Sequence, residues 1–389
     1  MIPYGRQDIS QEDIDSVVEV LRSDFLTQGP AVPKFEKTVT SYCGAEYGVA
    51  VNSATSALHI ACLALGVGPG DVVWTTPITF VASANCALYC GASVDFVDID
   101  PQTYNMCTDR LEEKLIEAEK KGNLPKVVIP VHMCGQSCDM ERIYKLGLKY
   151  GFKIIEDASH SIGGRYQTKP IGNCQYSDIA VFSFHPVKII TTGEGGMAVT
   201  NDDVIAKRMR FLRSHGISAD PVDMDDRPNE EIWNYQQIGL GFNYRMTEIQ
   251  AALGVSQMLR LDEFVHKRQL LALRYESLLA KLPVLTPTQK TGQYSAFHLY
   301  VVRLKLQKTK LNQKMVFDSL KKQGVLVNLH YIPVYRQPYF EKMGFTAGYC
   351  PNAEKYFTEA VTLPLYPGLT EVQQAQVVSA LEIALAQER

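Results

Sequence analysis

The sequence predicts an α/β protein: a mostly parallel central sheet with helices on both faces, followed by a smaller α+β domain. Two observations carry this. Short apolar runs alternate with longer helical patterns through the first half, and strands buried on both faces and separated by helices build parallel sheets. After about Thr247 that alternation stops, which puts a large domain over residues 1–250 and a small one over 251–389.

The elements follow in order. Gly48 to Val51 (GVAV) reads as a strand, and small residues open a helix from about Ser56 to Leu65. Asp71 to Thr75 and Val94 to Val97 read as strands around a helix over Ala82 to Tyr89. Lys126 to Val131 and Phe152 to Glu156 flank a helix over Met140 to Tyr150. Ile179 to Phe184 and Met197 to Thr200 are two further apolar strands. One long helical stretch then runs from Glu248 to about Leu279, with Ile249, Ala252, Leu253, Val255 and Leu259 as its apolar positions. The small domain reads as a strand at Leu299 to Leu304, a helix near Gln313 to Lys322, a strand at Val325 to Leu329 and a final helix.

Composition narrows the function. The chain has 389 residues, 46% hydrophobic and 21% charged, with net charge -3 and a pI near 6.3. That balance gives no electrostatic reason to expect nucleic acid or an anionic membrane as partner. Met1 to Ser10 lacks the basic start and apolar stretch of a signal peptide, and no apolar run could span a bilayer, so a cytoplasmic protein is expected. Nine cysteines are an odd number without zinc-type CxxC pairs. Cys134 and Cys138 could form a disulfide or a zinc site, but reduced, mostly buried thiols are the better reading, and no metal site is expected.

The residues that point to chemistry lie between Asp178 and Thr200 (DIAVFSFHPVKIITTGEGGMAVT). Two strands bracket a loop holding Lys188 and Gly193, Gly195 and Gly196. A lysine beside a buried strand is partly desolvated, which lowers its pKa and makes it a Schiff-base nucleophile; a surface lysine in a hairpin is the alternative. In IIEDASH a strand delivers Asp157 to a loop, with His160 three residues on. Ligands bind at the carboxyl ends of parallel strands, although Asp157 also suits a helix N-cap and His160 a structural role. In Asn52 to Ala57 (NSATSA), small hydroxyl residues open a helix after a strand, so free N–H groups and the helix dipole form a phosphate cup. Any capped helix shares that look. No GxGxxG follows a strand, which removes the main support for dinucleotide binding.

Taken together and in this order, these pieces resemble the fold type I pyridoxal-phosphate (PLP) enzymes, and among them the DegT-type nucleotide-sugar aminotransferases. The resemblance covers essentially the whole chain, through PYGRQDI, LTQGP, NSATSALH, TPITFVASAN, EDASH, SFHPVKIITTGEGG, RSHG and GFNYRM. It implies that Lys188 binds PLP covalently, that Asp157 pairs with the pyridine nitrogen and that His160 lies near the ring hydroxyl. Phe80 would stack on the ring. Thr55, Ser56 and Ser183 would hold the phosphate, and Asn243 would complete that site from the other subunit of a homodimer. Related dehydratases carry histidine in place of the lysine, so Lys188 favours transamination.

Within the family, SFHPVKIITT, RSHG and HYIPVY (His330 to Tyr335) are most similar to the 4-aminotransferases of pseudaminic acid biosynthesis. That similarity implies L-glutamate as donor and UDP-2-acetamido-2,6-dideoxy-β-L-arabino-hexos-4-ulose as acceptor, converted to UDP-4-amino-4,6-dideoxy-N-acetyl-β-L-altrosamine. Tyr4, Asp24, Phe25, Leu26, Thr27, His330, Tyr331, Ile332 and Pro333 then lie where the nucleotide sugar is contacted. Arg245 is a further candidate for a phosphate, since a guanidinium pairs with one bidentately. The alternatives are a GDP- or dTDP-linked 4-keto sugar as acceptor and, from a different class, a non-catalytic PLP-binding regulator.

Overall fold

The computed structural model describes residues 1–225, 231, 233–306 and 311–386. Among these, seven strands form the central sheet: β1 (Tyr47–Val51), β2 (Val72–Thr75), β3 (Ser93–Phe96), β4 (Val127–Ile129), β5 (Lys153–Asp157), β8 (Ile179–Ser183) and β9 (Gly196–Thr200). Their order is β1-β9-β8-β5-β4-β2-β3, and every neighbouring pair is parallel except those made by β9, which runs against both β1 and β8. The carboxyl ends of β1, β2, β5 and β8 therefore meet on one edge. Short pairs decorate this body: β6 (Arg165–Tyr166) and β7 (Lys169–Pro170) with β13 (Gln293–Tyr294), and β10 (Ile217–Ser218) with β11 (Gln236–Gln237).

Helices α1 (Gln11–Arg22) and α2 (Ala31–Cys43) precede the sheet, α3 (Ala54–Ala64), α4 (Ala82–Tyr89), α5 (Thr108–Lys121) and α6 (Met140–Tyr150) connect its strands, and α7 (Asp203–Arg213) follows β9. Helix α3 is apolar almost all round and buried from Ser56 to Cys62, as a helix laid across a sheet must be. Each fully buried Leu or Ile there, such as Leu58 and Ile60, contributes about 1.5–3 kcal/mol. The nine cysteines are free thiols and all but Cys107 are buried.

Two expected elements differ. The helical stretch from Glu248 is not continuous but divides into α8 (Glu248–Met258) and α9 (Leu261–Leu279). At the break Arg260 leaves helical geometry and its guanidinium reaches Asp8 at 2.8 Å, while Leu259 is 82% exposed, so the apolar run there fills no core. Nor is Val325 to Leu329 a strand. Val325 bridges Ile2 and Asn328 bridges Thr362, so the segment changes partner within three residues and no ladder can grow.

The C-terminal part carries β12 (Val284–Leu285), β14 (Tyr300–Leu304) and β15 (Ala360–Leu363) in one antiparallel sheet. Helices α10 (Gln313–Lys322), α11 (Pro338–Glu341), α12 (Pro351–Glu359) and α13 (Glu371–Ala386) complete it. Helix α9 serves two cores: Phe264 and Val265 pack with the central sheet, and Leu271, Ala272 and Tyr275 with the small one.

Candidate active site

At the carboxyl edge of the sheet lies a cavity of about 840 Å³. Its floor is built from strand ends: Asp157 closes β5, Ser183 closes β8, and Asn52 to Ser56 follow β1. Lys188 enters from the loop between β8 and β9 with its N–H bonded to the His185 carbonyl at 2.9 Å. Phe80, 59% exposed, stands over the opening, with Tyr331 6.4 Å away ring to ring. Asp157 is buried; it accepts from the Ser83 hydroxyl at 2.7 Å and from the Ser159 N–H at 3.1 Å. Because a carboxylate only accepts, Ser83 donates to it and accepts from the Thr79 hydroxyl at 2.8 Å.

The phosphate cup has a visible cause. Ser53 caps α3 by accepting the Ser56 N–H at 3.1 Å, and the Ser56 hydroxyl bonds Asn52 Oδ1 at 2.6 Å. The N–H groups of Ala54 and Thr55 lie before the capped one, at the positive end of the helix. Strand β9 passes directly beneath: a Cβ on Gly196 would sit 2.4 Å from the Ala54 nitrogen.

Charge here is held low. Burial lowers the Lys188 ammonium to about 8, against a pull in the other direction from Asp157. Burial also drives His160 well below the ordinary histidine range, helped by the Lys188 charge. His298 is lowered by burial and by its neighbours His160 and Lys188, and His330 falls to about 3 by burial and Lys188. The three imidazoles are therefore neutral. His160 Nε2 lies 3.3 Å from the Tyr331 hydroxyl, whereas the Nδ1 atoms of His160 and His298 have no hydrogen-bond partner among the described residues.

Known proteins are similar to this chain over nearly its whole length. The model of the DegT/DnrJ/EryC1/StrS aminotransferase family matches residues 7–382. The chain belongs to that family. It is 36% identical over 383 residues to spore coat polysaccharide biosynthesis protein SpsC of Bacillus subtilis, covering 98% of this chain and 96% of that protein. It is 35% identical over 368 residues to the UDP-4-amino-4,6-dideoxy-N-acetyl-beta-L-altrosamine transaminase of Campylobacter jejuni, covering 94% of this chain and 93% of that one. The solved structure of PseC from Helicobacter pylori, an aminotransferase involved in the biosynthesis of pseudoaminic acid, superposes with a TM-score of 0.89 at 31% identity, covering 99% of each chain. The fold is that of the type I PLP aminotransferases, and the protein is a sugar aminotransferase of the DegT family.

Enzymes of this family depend on PLP. The cavity has what such a group needs: a buried unpartnered imidazole nitrogen on His160, a carboxylate fixed by two donors, and a helix start that Gly196 leaves open. Of the residues named from sequence, Tyr4, Thr55, Ser56, Phe80, Asp157, His160, Ser183, Lys188, His330 and Tyr331 line this one cavity. Others do not. Asn243 is exposed, and Arg245 lines a separate cavity of about 530 Å³ with Arg213. Asp24, Phe25, Leu26 and Thr27 stand exposed, as does Ile332, and Pro333 is buried outside the lining. Sequence reading missed Ser83 and His298. The TPITFVASAN segment held Ser83 in view, but His298 had no signal beyond its residue type.

Proposed function

We propose that the chain transfers the amino group of L-glutamate to the C4 ketone of a UDP-linked sugar. The acceptor is UDP-2-acetamido-2,6-dideoxy-β-L-arabino-hexos-4-ulose and the product UDP-4-amino-4,6-dideoxy-N-acetyl-β-L-altrosamine. The observation that carries the chemistry is Lys188: an amine lowered to about 8 at the floor of a cavity that Asp157 also faces. The name of the C. jejuni relative, at 35% identity, supports the acceptor.

PLP, when bound, supplies an electron sink that accepts the electron pair left as the donor's Cα–H bond breaks. Asp157, fixed in place by Ser83 and Ser159, would hold a proton on the ring nitrogen. Uncharged His160 would lie beside the ring hydroxyl, and Phe80 would pack on the ring. Thr55, Ser56 and Ser183 would hold the phosphate. The Lys188 amine would serve as general base and then acid for the proton on the donor's Cα, for which an amine titrating near pH 8 is suited. Tyr4, His330 and Tyr331 line the same cavity and would meet the sugar nucleotide.

The active unit is a homodimer in which Asn243 and Arg245 serve the partner's cavity. Both lie outside the cavity of their own chain. Trp233, Tyr235 and Leu240 close by are 72%, 66% and 79% exposed, an apolar surface that marks an interaction site.

The test is the visible spectrum of PLP-loaded protein. L-Glutamate should abolish the band of the lysine-bound cofactor, and the UDP-4-keto sugar should restore it. Loss without return rejects the sugar, and GDP- and dTDP-linked 4-keto sugars are then compared. No response to glutamate or any other amino donor would sink the aminotransferase reading of this site.

A further inference from the structure

Strand β5 ends in two consecutive carboxylates, and only one of them faces the cavity. Successive side chains on a strand point to opposite faces, so while Asp157 lines the site, Glu156 turns away from it into the protein, 5% exposed. One Glu156 oxygen accepts the Ser177 hydroxyl, and the other lies 2.7 Å from Nε2 of His132, a side chain with no exposure at all. The remaining ring nitrogen of His132 lies 3.1 Å from the main-chain N–H of Cys138. A main-chain N–H can only donate, so Nδ1 carries no proton and the ring proton sits on Nε2, directed at Glu156.

The main chain of His132 grips the same strand end. Its N–H donates to the Asp157 carbonyl at 3.0 Å, and its own carbonyl accepts the Ser161 hydroxyl at 3.2 Å. One residue thus holds Glu156 by its side chain and Asp157 and Ser161 by its backbone, closing a ring around the Glu156–Asp157 peptide. The loop it begins also reaches the residues flanking His298: the Gly135 carbonyl accepts the Ala296 N–H at 3.0 Å, and the Cys134 carbonyl the Leu299 N–H at 3.4 Å. A buried carboxylate held by a neutral imidazole is a poor device for stability, since apolar side chains of the same volume commonly serve as well. It is a good device for orientation.

We infer that Glu156 and His132 are positioning residues. They hold Asp157 and, through Ser161, the His160 turn in the orientation that meets the ring nitrogen and ring hydroxyl of the cofactor. The inference rests on the roles proposed above for Asp157 and His160.

Three readouts test it: the PLP dissociation constant of the apo-protein, the visible circular dichroism of the bound cofactor, and the apo-protein melting temperature. The double variant His132→Phe/Glu156→Leu removes both polar partners together, so no unpaired charge is left buried and folding is kept. It should bind PLP about tenfold more weakly, with an altered dichroic band, because small misplacements of an orienting group are costly. Glu156→Gln should stay near wild type in all three, because its amide can still accept from His132 and donate to Ser177. A double variant with wild-type affinity and dichroism would reduce the pair to a structural role. If the double variant does not fold, Glu156→Asp takes its place. It keeps the charge but loses one methylene of reach, and it should shift affinity and dichroism in the same direction; wild-type values there overturn the inference. Wild-type protein that binds no PLP would bring down the cofactor reading itself, a result distinct from either.

Discussion

At the scale of single residues, the amine of Lys188 is the group whose state the surroundings change most usefully. Only the neutral amine attacks a carbonyl, and burial brings its titration down to about 8. The apo-protein should therefore undergo reductive methylation by formaldehyde at Lys188 with a midpoint near pH 8, read by peptide mass spectrometry. Lys207, whose contact with Asp203 raises its pKa, should still be gaining reactivity well above that. The Asp157 charge favours the ammonium, so Asp157→Asn should move the midpoint lower; a midpoint of 10 in the wild type would refute the desolvation account. Ser83 gives a second prediction. Its hydroxyl is a charge-assisted donor to Asp157, and such bonds contribute about 1.5–3 kcal/mol. Ser83→Ala should lower kcat about tenfold or more, yet less than Asp157→Asn, and equal kcat in Ser83→Ala and wild type would show the bond to be idle.

At the scale of elements, the crossing of β9 beneath the start of α3 decides whether a phosphate can be held. A methyl at Gly196 would lie 2.4 Å from the Ala54 nitrogen and 2.5 Å from the Ser53 carbonyl carbon, both main-chain atoms that cannot swing aside. Gly196→Ala should push the helix start out of place, weakening PLP by about tenfold in equilibrium dialysis at a cost of about 1–3 kcal/mol in stability. Unchanged affinity would mean that the phosphate sits elsewhere. Elements of this kind were partly legible. Apolar runs marked β1, β5 and β8, and polar residues at their ends stood out as Thr55, Asp157 and Ser183. The direction of β9 was not legible, because an apolar run buried on both faces looks the same parallel or antiparallel. Ser83 was hidden for a related reason: whether a side chain in the first turn of α4 meets Asp157 depends on the angle at which that helix leaves Phe80. His298 reaches the cavity from the segment just before β14, and no local pattern records a contact with His160 made so far along the chain. The break at Arg260 rests on its ion pair with Asp8, a partner equally remote in sequence.

At the scale of the whole molecule, we propose two bodies, 1–250 and 251–389, with α9 packed into both, and a second copy that completes each cavity. Among the described residues, the cavity within one chain is lined by Lys188 and by no arginine, although its proposed substrate carries a diphosphate and its donor two carboxylates. Arg245 and Asn243 sit on the segment before α8, outside that cavity, where they would serve a neighbour. This arrangement makes a distinctive prediction for mixed dimers. Lys188→Ala and Asn243→Ala should each be nearly inactive alone, because each breaks every site of its own homodimer. When the two are unfolded together and refolded, half the dimers are mixed, and each mixed dimer has one site with both native residues and one with neither. Activity should return to about a quarter of wild type, as two-fold symmetry requires. Were Asn243 to serve the cavity of its own chain, every site in the mixture would lack one residue or the other, and no activity would return. Refolded mixtures that stay inactive while Asn243→Ala alone is impaired would thus contradict the shared site without touching the role of Lys188.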